Sequence, residues 1–172
     1  GLTPVDVSTL AAPVIDQTRG NHQEYEGYYS QKISVNGTDR TVKYYIAEGA
    51  PIRCYFTVIA VPEGMNTEQF LTESGWKALA DENQEGLLIL EAAENGQWGD
   101  AAAEKAYVDA AMKAYNAGTY FKIFGENYLV GYEGNGGVAL QEYAVENPLK
   151  VISAVFINAN GISEEFLTAA GA

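Results

Sequence analysis

Residues 126–137 read Glu-Asn-Tyr-Leu-Val-Gly-Tyr-Glu-Gly-Asn-Gly-Gly. An apolar run of strand-forming residues, Tyr128–Tyr132, passes directly into a glycine cluster, and helical spacing resumes over Gly136–Glu146. Glycines in such a row let a strand reverse sharply into a helix, because they tolerate positive φ and let the two backbones approach closely. The joint constrains the rest of the chain. Its strand must be followed by a helix rather than a hairpin, which favours parallel pairing.

The remaining pattern agrees. From Glu26 the sequence alternates in the manner of a strand, Asn36-Gly37 supplies a turn, and Thr41–Ala47 forms the return strand of a hairpin. Asn36-Gly37-Thr38 also matches a glycosylation sequon, though the turn accounts for it. Arg53–Val61 is a continuous apolar run, as expected of a strand buried on both faces. Helical spacing follows at Thr67–Leu71 and Trp76–Ala80. Gly86–Glu91 is the next buried strand, and the alanine-rich segment Ala101–Asn116 is an amphipathic helix. Asn147-Pro148 stops the helix over Gly136–Glu146. Val151–Ile157 is a fourth buried strand, and Ser163–Leu167 begins a last helical turn. Residues 1–24 lack periodicity and read as an extended lead-in with a short helix at Asp6–Ala11; residues 25–172 form the domain.

A hairpin followed by strand–helix–strand–helix–strand–helix–strand implies an α/β fold with a mostly parallel sheet and right-handed crossovers. Composition narrows the partners. Ten Lys and Arg against 23 Asp and Glu give a net charge of −13, which repels phosphate backbones and anionic lipid. Neither nucleic acid nor a membrane is an expected partner, and no apolar run reaches the roughly 20 residues of a membrane helix. No basic n-region followed by an apolar h-region opens the chain, so a signal peptide is expected to be already removed or never to have existed. Abundant tyrosine and glycine with few lysines point to an extracellular or cell-surface protein. One cysteine, Cys54, lies in an apolar run and reads as a buried thiol. One histidine, His22, lies in a polar stretch and reads as exposed. Together they exclude the usual Cys/His zinc site within a single chain, and no metal or other cofactor is expected.

The segments Lys43–Ile46, Ser74–Asp81, Gln97–Gly99, Ala106–Ala110 and Tyr128–Tyr132, in this order and spacing, resemble the polyhydroxybutyrate depolymerase-like esterases, relatives of feruloyl and acetylxylan esterases. The resemblance runs from about Tyr28 to the end. It implies an α/β-hydrolase fold, of which this chain would be the N-terminal portion, and carboxylic ester hydrolysis. The family carries serine in Gly-x-Ser-x-Gly-Gly at the turn described above. Aligned from Gly131-Tyr132, Glu133 takes the serine's place; aligned from Asn135-Gly136-Gly137, Gly134 does. Glu133 is thus the candidate catalytic residue, with a solvated turn carboxylate as its plain alternative. The family's oxyanion stretch falls at Val61-Pro62-Glu63-Gly64, without its histidine, which leaves backbone N–H groups at Gly64, Met65 or Gly134 as candidates. Tyr132 and Trp98 are candidate pocket walls.

No histidine follows Glu133, so the resemblance implies that missing triad members come from another chain. The apolar strand Val151–Ile157 would otherwise be an unprotected sheet edge. A second polypeptide completing the sheet is therefore the expected partner, with a small or polymeric ester as the expected substrate. The alternative is a non-catalytic relative that binds a ligand or partner in the cleft. Glu63, Glu91, Glu94 and Asp100 lie at strand ends or in the following loops, where α/β sheets bind ligands; solvated acidic loops are the plain alternative.

Overall fold

In the computed structural model, which describes residues 3–13, 20–93 and 95–157, the chain enters the sheet through a two-residue strand, β1 (Val5–Asp6). The helix expected at Asp6–Ala11 is instead a single 3-10 turn, Val7–Thr9, capped by the Asp6 carboxylate, which accepts from the Ser8 N–H at 2.9 Å. Val7 is buried, so this part of the lead-in contributes to the core.

The hairpin forms as expected. β2 (Gly27–Val35) and β3 (Thr38–Ile46) pair antiparallel along their whole length. Asn36 and Gly37 close the turn at φ 51° and 81°, the left-handed values that a two-residue hairpin with native twist requires. The next strand is shorter than the apolar run suggested. β4 is Phe56–Ala60, because Arg53 takes φ 59° and donates its N–H to the Lys122 carbonyl at 2.7 Å, which holds the chain in a turn before the strand begins.

Helices α1 (Thr67–Glu73) and α2 (Trp76–Asn83) lead to β5 (Gly86–Leu90). Helix α3 (Ala101–Asn116) leads to β6 (Asn127–Tyr132), and α4 (Asn135–Glu146) to β7 (Val151–Ile157). Together the strands form one sheet in the order β1-β2-β3-β5-β4-β6-β7. β3 pairs antiparallel with β5, while β5, β4, β6 and β7 are mutually parallel. β4 and β5 are buried throughout, as strands covered on both faces must be. Helices α3 and α4 cover one face around Tyr44, Phe56, Tyr107, Met112 and Leu140. Helices α1 and α2 cover the other around Tyr28, Ile59, Phe70 and Leu71. The helical turn expected at Ser163–Leu167 lies outside the described residues.

Close backbone approach explains Gly137. A Cβ there would lie 2.1 Å from the Tyr132 carbonyl oxygen. That oxygen belongs to the backbone of an interior strand and cannot swing aside. Gly137→Ala is therefore expected to lose roughly 3 kcal/mol of unfolding free energy, the upper end of an overpacking penalty. Urea denaturation measures it, and a variant as stable as the parent would mean that the turn relaxes freely.

Candidate functional site

The connection from β4 runs to β5 on one side of the sheet, whereas that from β6 runs to β7 on the other. The carboxyl ends of β4 and β6 therefore flank the point where the winding reverses, and a crevice opens there in sheets of this kind. The loop after β4 and the joint between β6 and α4 meet at this point.

The joint's apex is Gly134, with φ 114° and ψ 171°. Glu133, the residue before it, is exposed and does not share the left-handed backbone. Gly134, and not Glu133, takes the positive-φ backbone of this turn. No side chain caps α4.

Trp98 occupies the crevice. Its indole Nε1 donates to the Val61 carbonyl at 3.0 Å, tying the β5–α3 loop to the end of β4. A Cβ at Gly134 would lie 3.0 Å from Trp98 Cδ1, and one at Gly136 only 2.3 Å from Cε2. The Asn135 amide donates to the Gly99 carbonyl at 2.8 Å, which fixes the same loop against the start of α4. Trp98 is thus a buried stopper, 8% exposed, rather than a wall of an open pocket. Tyr132 points elsewhere. Its hydroxyl accepts from Trp76 Nε1 at 2.8 Å, and its ring meets Phe70 edge-on at 5.1 Å.

The candidate oxyanion donors in the β4–α1 loop are already engaged. The Gly64 N–H donates to the Gly96 carbonyl at 2.9 Å, and that of Met65 to the Pro62 carbonyl at 3.4 Å. Glu63 faces the joint. Its Oε2 lies 3.8 Å from where a Cβ of Gly134 would stand. A carboxylate suits the positive end of a helix but opposes negative charge developing on a bound substrate.

Open space lies beside the stopper. β3 continues past its first partner on β5, Val42↔Leu90, so that Thr38–Thr41, still paired with β2, extend beyond the end of β5. With the loops after β4 and β5 they enclose a cleft of about 760 Å³. At its base Lys43 Nζ meets Glu91 Oε2 at 2.9 Å, and the Thr67 hydroxyl donates to the same oxygen. Arg40 pairs with Glu104 through two contacts, 3.0 and 3.2 Å, and its guanidinium stacks 3.9 Å from the centroid of Tyr107. Sequence reasoning missed the Arg40–Glu104 pair, which joins residues 64 positions apart.

The other rim residues divide. Asp100 is the N-cap of α3, accepting from the Ala103 N–H at 2.8 Å, whereas Glu94 lies outside the described residues. His22 is exposed and Cys54 is buried, with burial pushing its thiol up to about 11. Among the described residues no group of three His, Cys, Asp or Glu side chains could hold a metal ion, and no helix is long and apolar enough to cross a membrane.

Comparison of the coordinates with solved structures identifies the architecture. An alpha-beta serine hydrolase homologue from Coxiella burnetii superposes with TM-score 0.61 at 14% identity, over 86% of this chain and 70% of that one. The S-formylglutathione hydrolase from Agrobacterium tumefaciens gives TM-score 0.59 at 14% identity, over 77% and 57%. Est1E from Butyrivibrio proteoclasticus gives 0.57 at 11% identity, over 73% and 48%. The chain thus spans between about half and 70% of the length of these structures. It has an α/β-hydrolase fold. No protein-family model matches the chain, and a comparison with curated proteins found no match.

Proposed function

We propose that this chain is part of an α/β-hydrolase-fold protein of depolymerase-esterase ancestry whose switch-point site binds a ligand or partner without acyl transfer. One observation carries the reading: the apex residue is Gly134, and the space its side chain would enter holds the Trp98 ring. Covalent acyl transfer needs a nucleophile at that apex and donors aimed at the developing oxyanion. The engaged N–H groups of Gly64 and Met65 and the nearby Glu63 carboxylate support the same reading. The cleft beside the stopper is where a ligand would enter.

Hydrolysis through Glu133 is the second reading, favoured by the exposure of its carboxylate next to the apex. Turnover of p-nitrophenyl acetate and butyrate separates the two. The expected result is no release of nitrophenolate above buffer. Turnover that disappears in Glu133→Gln would overturn the binding reading in favour of an unusual hydrolase.

A second polypeptide is the proposed partner. Among the described residues no strand pairs with the outer edge of β7, where Val155 and Ile157 are exposed. An uncovered apolar edge invites strand addition. The intact mass of the natural sample under native conditions tests this: a second component is expected, and a lone monomer would rule it out.

A further inference from the structure

Among the described residues an asparagine precedes a glycine at Asn36-Gly37, Asn95-Gly96 and Asn135-Gly136; a further pair, Asn160-Gly161, lies outside them. A glycine after asparagine leaves its backbone nitrogen unshielded by any Cβ. It also lets the chain take the conformations in which that nitrogen meets the preceding side chain. The pairs are the same dipeptide, and the fold treats them differently.

Asn135 and Asn95 are held. The Asn135 amide donates to the Gly99 carbonyl at 2.8 Å, and a Cβ at the buried Gly136 would stand 2.3 Å from the Trp98 indole, so no space is open beside that peptide. Helix α4 fixes its backbone as well. The Asn95 side-chain oxygen accepts from the Gln97 N–H at 3.0 Å. The Gly96 N–H donates to the Ala93 carbonyl at 2.8 Å, which engages the nitrogen that would have to react. Asn36 has no such restraint. It is exposed at the hairpin tip, and its side chain makes no hydrogen bond with the described residues. The Gly37 N–H lies outside the closing pair Val35↔Thr38 and has no backbone acceptor among those residues. Nothing lies within 4 Å of where a Cβ of Gly37 would stand.

We propose that Asn36 is a site of spontaneous deamidation whose product reshapes the lip of the large cleft. The Gly37 backbone nitrogen gives up its proton to hydroxide or buffer base and attacks Asn36 Cγ. The new N–Cγ bond closes a succinimide ring, and the Cγ–Nδ2 bond breaks with loss of ammonia. Water then opens the ring. Addition at Cγ breaks the new bond and leaves aspartate in an ordinary backbone. Addition at the backbone carbonyl of Asn36 breaks the old peptide bond and leaves isoaspartate, whose main chain runs through Cβ and Cγ. Isoaspartate puts an extra backbone carbon into a two-residue turn. The length of such a turn fixes the register of the strands it joins, and Thr38, Asp39, Arg40 and Thr41, just beyond it, line the cleft. The step uses no atom of the joint at Gly134, so it proceeds whether or not esters are hydrolysed.

Peptide mapping by mass spectrometry, after the folded chain has stood in mildly alkaline buffer, tests the assignment. Trypsin separates the pairs: Asn36 falls in residues 33–40, Asn95 in 78–105 and Asn135 in 123–150. Conversion of Asn36 to aspartate and isoaspartate is expected to run about tenfold faster than conversion of Asn95 or Asn135, a barrier difference of ~1.4 kcal/mol. In the urea-unfolded chain the rates should converge, because the dipeptide is the same. Equal rates in the folded chain, or a faster rate at Asn95 or Asn135, overturns the assignment. The effect on the cleft is read by amide NMR of the isoaspartate form, with Asn36→Asp supplying the same charge on an ordinary backbone. Shifts at Thr38, Asp39, Arg40 and Thr41 are expected in the isoaspartate form alone. Shifts confined to the turn, or shared equally by Asn36→Asp, would refute a change of register.

Discussion

Trp98→Ala is expected to lower the unfolding free energy by about 3–5 kcal/mol, the range for removing a fully packed aromatic side chain. The indole fills the crevice between β4, β6 and the start of α4, and its removal also leaves the Val61 carbonyl without the donor it now has at 3.0 Å. The more specific expectation is a coupling. In the parent, Gly136→Ala drives a methyl to 2.3 Å from the indole and must destabilise. In Trp98→Ala the obstacle is gone, and alanine within a helix is favoured over glycine by roughly 0.5–1 kcal/mol. The same substitution should therefore change sign between the two backgrounds. A urea-denaturation double-mutant cycle measures this. Additive effects would mean that the ring does not fill the space beside the apex, and the occluded-site reading would fall with it.

Arg40→Met should cost a comparable amount, about 3–5 kcal/mol, because it strands a charge in the interior. Glu104 is 2% exposed, and its carboxylate is met by both Arg40 nitrogens. Arg40 also donates to the Glu91 carbonyl at 3.0 Å, so its loss releases the strand end that carries the Lys43–Glu91 pair. Replacing both partners, Arg40→Met with Glu104→Leu, should recover most of the loss, since apolar substitutes of similar volume often equal a buried ion pair. Thermal or urea unfolding of the three variants checks the pattern. A single variant as stable as the parent would show that water reaches Glu104 and solvates it.

The legibility of these features in the sequence varied with how local their causes are. The helix Ala101–Asn116 and the strand Val151–Ile157 have the boundaries that periodicity and punctuation indicated. Each depends on residues within its own segment. The hairpin at Asn36-Gly37 is of the same kind. Arg53–Tyr55 looked like strand because they are followed by an apolar run, but a hydrogen bond to Lys122, 69 positions away, held them in a turn. The location of the joint near Tyr132 was legible from its glycines. Its occupancy was not, because nothing in the spacing of Gln97-Trp98-Gly99 says whether the indole lines a pocket or closes it.

The α/β class, the hairpin opening and the strand–turn–helix joint were already set by the order of apolar runs, turns and glycines, since hydrophobic period and allowed φ act over a few residues at a time. Which strands became neighbours, where Trp98 came to rest, and which charges met in the interior were decided only in the folded chain. Those outcomes come from contacts between distant segments, whose free energy exists only once the sheet has assembled and water has been excluded.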